Sequence, residues 1–175
     1  QMGININALP VSLGPIIEDI DAPATSVATA LVLYSLFVAA FVMLGAKIGK
    51  MFGERLVFQV SALAHGGAMA LMAVSASAET MNTAQAIAGL AAAALVAALV
   101  VLIAANYRER QQEQALGILA AIPAVASGLT FVVAGFLATA LSWRVSFWLI
   151  FAVSILVFIL SFRLQPIPRS KGISI

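Results

Sequence analysis

The chain has 175 residues, 63% hydrophobic and 9% charged, with a net charge of +2 and a mean hydropathy of +1.09. A soluble domain carries about 25% charged residues, and so little polar material could not cover a water-soluble fold of this size. The absence of cysteine removes disulfides, thiol nucleophiles and thiolate metal sites together.

In lipid every backbone polar group must be satisfied internally, so a spanning chain forms a helical bundle or a closed barrel. Barrel strands alternate apolar and polar residues over about ten positions. This chain has long uninterrupted apolar runs instead, which predicts an all-α polytopic membrane bundle. The first run, 2–17, is short, holds Pro10 and Pro15, and reads as the outer part of a first span whose beginning is missing. Five full runs follow at 25–48, 55–77, 82–106, 113–139 and 143–164, each long enough to span as a helix of about twenty residues. The segment 165–175, with Pro166 and Pro168, reads as a linker. Gln1-Met2-Gly3 brings no basic region ahead of an apolar core, so no secretory signal peptide is read and the numbering is expected to begin inside a longer protein.

Charge orients the bundle. If the connection Gly45–Arg55 is cytoplasmic, alternation puts the turn 107–112 and the linker on the same side. Lys47, Lys50, Arg55, Arg108, Arg110, Arg163, Arg169 and Lys171 then lie inside, and Arg144 alone lies outside. That is a positive-inside bias. Glu18, Asp19, Asp21 and Glu79 fall in the outer connections. The spans carry no Asp, Glu, Lys or Arg near their centres, where ionisable residues are costly and usually functional. One His and no central carboxylate leave no metal site, and no nucleophile has a base beside it. The pattern therefore predicts no enzyme, no cofactor and no nucleic-acid partner.

Six polar residues within helices stand out: Asn5, Asn7, Tyr34, His65, Gln85 and Thr130. Gln85 shares a side with Gly89, Ala92 and Ala93, a small-residue stripe that permits close helix approach. It either donates one interhelical hydrogen bond or meets a solute. His65 precedes Gly66-Gly67 and shares a face with Met69 and Met72, which reads as a packed neutral imidazole ahead of a proton carrier. Asn5 and Asn7 are two residues apart and cannot share a helical face.

The joint order of several short motifs resembles the amino-terminal half of a major facilitator superfamily transporter, nearest the fourteen-helix drug exporters. Ala46 to Arg55 resembles that family's loop between helices two and three, with Gly49, Lys50, Gly53, Glu54 and Arg55 in its positions. Ala8-Leu9-Pro10 resembles the end of the first-helix motif. Tyr107, Arg110 and Ala115 to Ile118 resemble the passage from helix four to five. Leu141 to Arg144 with Phe147 resembles the entry to helix six, and Pro168 to Ile173 the linker before helix seven. The helix-five motif falls on Gly128, Thr130 and Gly135, with Thr130-Phe131 in place of its Gly-Pro and Ala134-Gly135 in place of its Gly-Gly.

The resemblance implies a six-helix half-bundle that rocks against a carboxy-terminal half, or a second copy, in a bacterial inner membrane with its C-terminus cytoplasmic. It implies drug-efflux transport of a small organic solute, amphipathic or lipophilic. Helices one and four line the cavity, two and five face the other half, and three and six lie outside. Asn5, Asn7 and Gln85, with Tyr34, then border the substrate path. His65 goes to the periphery. The gate loop's charges pair and unpair during rocking. The chain departs from the pattern at charged positions: Lys50 stands at the acidic position of the gate loop, Gln85 at a buried Arg of helix four and Gln1 at the Asp of helix one. Those departures weigh against proton-driven antiport and keep open a non-transporting scaffold or an inactive fragment. Gln85 is expected to orient a neutral or weakly polar solute, or to bridge to Asn5 or Asn7.

Overall fold

A computed structural model gives the fold and describes residues 1–164; the expected linker lies outside the described residues, as do the side chains of Pro123 and Thr139. The described chain is all-helical: α1 (Met2–Val11), α2 (Leu13–Ile20), α3 (Ala24–Phe52), α4 (Glu54–Ala73), α5 (Ala78–Asn106), α6 (Glu109–Ala140) and α7 (Trp143–Ser161). Five of them, α3 to α7, are long and apolar enough to cross a membrane.

Local chemistry sets the ends. The single helix expected over 2–17 is two helices broken at Ser12. Pro15 has no N–H and its ring crowds the carbonyl four residues back, that of Val11, which ends α1 there. Asp21 closes α2 in the left-handed region at φ 48°, ψ 42°. Serine hydroxyls cap two starts, Ser77 accepting from the Thr80 N–H and Ser142 from the Arg144 N–H. The segment read as a loop between the second and third spans is nearly all helix: α3 runs to Phe52, α4 starts at Glu54, and Gly53 alone makes the turn.

Counting α1 with α2 as the first span and α3 to α7 as the second to sixth, the packing has a pattern. The fourth span packs on the second and third, the first packs on the fifth and sixth, and the third meets the sixth. Exchanging the first three spans for the last three maps this set of contacts onto itself. Each triplet has an odd number of spans, so the two run in opposite directions, as in an inverted repeat. Large apolar side chains on the outside, among them Val32, Met43, Val60, Val132 and Phe136, are exposed, as a lipid or protein neighbour requires.

Glycine sets how close the helices come. A Cβ on Gly89 of α5 would lie 2.6 Å from the Tyr34 carbonyl oxygen, and one on Gly45 of α3 would lie 2.7 Å from the Ala94 Cα. These two positions bring α3 and α5 backbone to backbone. Gly66 lets α4 close on α7, where its Cβ would meet the Ser154 Cβ at 2.8 Å. Without a hydrophobic drive between helices in lipid, such van der Waals contact is the main cohesion.

The outer ends are tied by one cluster. Arg144 pairs with Asp19, donates from Nη2 to the Ser75 carbonyl at 2.8 Å, and stacks 4.3 Å from the Trp143 ring. Trp143 Nε1 donates to the same Asp19 carboxylate at 3.2 Å. The end of α2, the α4–α5 turn and the start of α7 are thereby joined. The Arg144 hydrogen bond holds the Asp19 carboxyl below its ordinary 3.8.

Two outcomes follow from this packing. Gly89→Ala should lower the unfolding midpoint in detergent by the equivalent of about 1–3 kcal/mol, whereas Gly67→Ala, which meets nothing within 4 Å, should leave it unchanged or raised. Asp19→Asn should destabilise at pH 7 by about 1 kcal/mol or less, since the pair is partly exposed. A carboxyl with a lowered pKa contributes stability that is full above 3.8 and lost as pH falls through the lowered value. Parent and variant midpoints should therefore converge below pH 3.8.

Candidate functional site

Three spans bring three polar side chains together inside the bundle. Asn5 of α1 donates from Nδ2 to Gln85 Oε1 at 3.0 Å, and Gln85 Nε2 of α5 donates back to Asn5 Oδ1 at 3.2 Å. Both residues are buried. Tyr34 of α3 borders the same crevice as this pair. The reciprocal amide pair satisfies a donor and an acceptor on each partner, which an isolated amide in this apolar core could not achieve.

Tyr34 is placed there by the close α3–α5 crossing, because its carbonyl lies directly on Gly89. Beside the three side chains is a crevice of about 10 Å³ lined also by Ile6, Leu9, Leu31 and Ser35, room for about one water. Its polar edge is amide and phenol, without a fixed charge. Such a site can hydrogen-bond a neutral or weakly polar group and offers no ion pair. Among the described residues no cluster of His, Asp and Glu could hold a metal.

The other sequence-predicted residues lie elsewhere. Asn7 turns away from the crevice: its Nδ2 donates to Ser127 Oγ of α6 at 2.9 Å and to the Gly3 carbonyl at 2.6 Å. The two asparagines thus serve opposite neighbours of α1, as a two-residue spacing on a helix dictates. Thr130 donates to the Ala126 carbonyl at 2.6 Å and borders an apolar cleft of about 200 Å³ between α1, α6 and α7, with Ile4, Ala134 and Ser146. Gly135 lies against Val11, while Gly128 faces open space.

At the other end, Gly53 has φ 96° and ψ 129°, outside the regions open to L side chains. Gly49 and Lys50 belong to the last turns of α3 and Glu54 and Arg55 to the first turn of α4. Lys50 complements the carbonyl end of its helix. Arg55 Nη2 donates to the Phe162 carbonyl at 2.9 Å, capping α7. His65, placed at the periphery by the resemblance, is instead fully buried. The reason is that α4 is packed on both sides, by α5 and by α7.

A family model described as Major Facilitator Superfamily matches residues 2–174. The chain is 28% identical to the puromycin resistance protein pur8 of Streptomyces alboniger over 163 residues, 93% of this chain and 32% of that protein. It therefore spans about a third of that relative's length.

The amide pair predicts a coupling. In a double-mutant cycle on thermal unfolding, Asn5→Leu and Gln85→Leu should each destabilise by orphaning the partner, while the double variant costs less than their sum. The coupling should be about 0.6–2 kcal/mol.

Proposed function

We propose, because this chain belongs to the Major Facilitator Superfamily, that it forms the amino-terminal half-bundle of a membrane transporter working by alternating access against a second bundle. The solute is a small amphipathic or lipophilic organic molecule, and its path passes the Asn5–Gln85–Tyr34 cluster. The observation that carries this reading is that cluster: uncharged hydrogen-bonding groups from three different spans, buried together beside a crevice. A charged solute would need an opposite charge there, and none is present among the lining residues. A solute with an apolar body and one or two neutral hydrogen-bonding groups fits.

Two further features support the reading. The least buried spans are α6 and α3, with 6% and 17% of their most apolar stretches buried. These are the second and fifth spans, symmetric partners in the repeat, and we assign their open faces to the second bundle. The basic residues at the α3–α4 and α5–α6 turns orient those turns, and the C-terminus, to the cytoplasm of a bacterial inner membrane. The one-residue turn at Gly53 serves as a gate element there. The relative's name makes puromycin the first solute to try and efflux the direction to test. Function as a transporter calls for no catalytic residue in this bundle.

The test uses the full protein that contains this chain, in inverted vesicles, with puromycin and the uncharged lipophilic dye Nile red. Gln85→Ala should weaken solute binding about three- to thirtyfold, and Gln85→Leu should do the same while retaining bulk, with insertion unchanged. Transport like the parent in both variants would make Gln85 a packing residue and move the solute path elsewhere.

A further inference from the structure

His65 is a buried titratable group for which the solute path has so far no use. It is 0% exposed, and neither Nδ1 nor Nε2 has a hydrogen-bond partner. A neutral imidazole carries one donor and one acceptor, and leaving them unmet in a core is costly. Helix packing alone would be served better by an apolar ring. What the imidazole does touch is Tyr34: the two rings meet edge-to-face, centroids 6.5 Å apart and planes at 81°, the geometry that aromatic pairs favour.

Tyr34 is thereby held at two points. Gly89 takes its backbone and His65 its ring. The residue behind it is itself fixed, because Gly66 is seated on Ser154 of α7 with no room for a Cβ. His65 does not line the crevice, whose wall is formed by Tyr34. We infer that His65 is a positioning residue for the solute site, acting through the Tyr34 ring, and that it extends the site's specificity into a fourth helix, α4. The wall of the crevice keeps its shape only while a ring stands behind it. This rests on the reading of the crevice as the solute path.

Three variants of the full protein test it: His65→Phe keeps a ring and removes the unmet nitrogens, His65→Leu keeps apolar bulk without a ring, and His65→Ala removes both. The solute readout is Nile red transport. His65→Ala and His65→Leu should raise KM about three- to tenfold with the maximal rate within about twofold, and His65→Phe should restore the parent KM. A structure-only role would lower folded yield without separating KM from rate. The second readout does not depend on transport. With 3-fluorotyrosine incorporated in the full protein, the Tyr34 ¹⁹F resonance can be assigned by its loss in Tyr34→Phe. It should shift and broaden in His65→Ala and His65→Leu and stay narrow in His65→Phe. An unmoved Tyr34 resonance in His65→Ala, or a His65→Phe variant as impaired in KM as His65→Ala, would overturn the inference. A moved resonance with no parent transport of the dye would support the ring contact and count against the solute path.

Discussion

The bundle depends on the seat of Gly89 against the carbonyl of Tyr34, where a Cβ would come within 2.6 Å of the oxygen. With no side chain at position 89, α3 lies backbone against backbone on α5, and Gly45, about three turns further along α3, meets Ala94 of α5. In lipid there is little apolar drive to bring two helices together, so that missing Cβ is what allows the contact to be close. The rest is built on it. Tyr34 comes to border the crevice beside Asn5 and Gln85, and the Asn5–Gln85 pair ties α1 to α5 while α1 packs on α6. A larger residue at position 89 would move apart the helices that bear two of the three polar groups.

The interior chemistry of the bundle is neutral. Where the resemblance would place an Arg and an Asp, this chain has Gln85 and Gln1. Charges at mid-membrane cost about 2.5–3.5 kcal/mol on insertion scales; two amides that satisfy each other avoid most of that and still recognise polar groups. The charges that remain sit at the ends, where they tie elements together. Arg144 binds three outer segments through Asp19, Ser75 and Trp143, and Arg55 caps the inner end of α7. Polar contacts tie the ends, close packing fills the middle, and the proposed solute path runs past the Asn5–Gln85–Tyr34 cluster.

Much of this was legible in the chain. Uninterrupted apolar runs required helices in lipid, and Gln85 stood out as the polar residue on a small-residue stripe. Other features were not readable locally. The Asn5–Gln85 bond joins residues eighty apart in sequence, and no periodicity in either helix selects one asparagine over the other. Charge marked 45–55 as a loop, yet lysines at a helix end are favourable, so α3 continues through them to Phe52. Pro15 carried the signal for the break at Ser12, because a proline disrupts the turn before it. His65 was misplaced because an outer helix was equated with an outer residue; α4 has two packed neighbours and buries a wide stripe from Val57 to Ala73.

The central claim is that solute passes the amide–phenol cluster, and cysteine accessibility tests it most directly. Ser35 lines the crevice and is exposed, whereas Val60 lies on an outward face of α4 and is 57% exposed. This chain has no cysteine of its own, so, in the full protein with every cysteine outside this chain replaced by serine, Ser35→Cys and Val60→Cys can be modified singly with a thiosulfonate reagent, with and without Nile red. The account predicts that the dye slows modification at position 35 in a saturable way and leaves position 60 unaffected. Equal rates at position 35 with and without the dye, under conditions where the dye is transported, would contradict it.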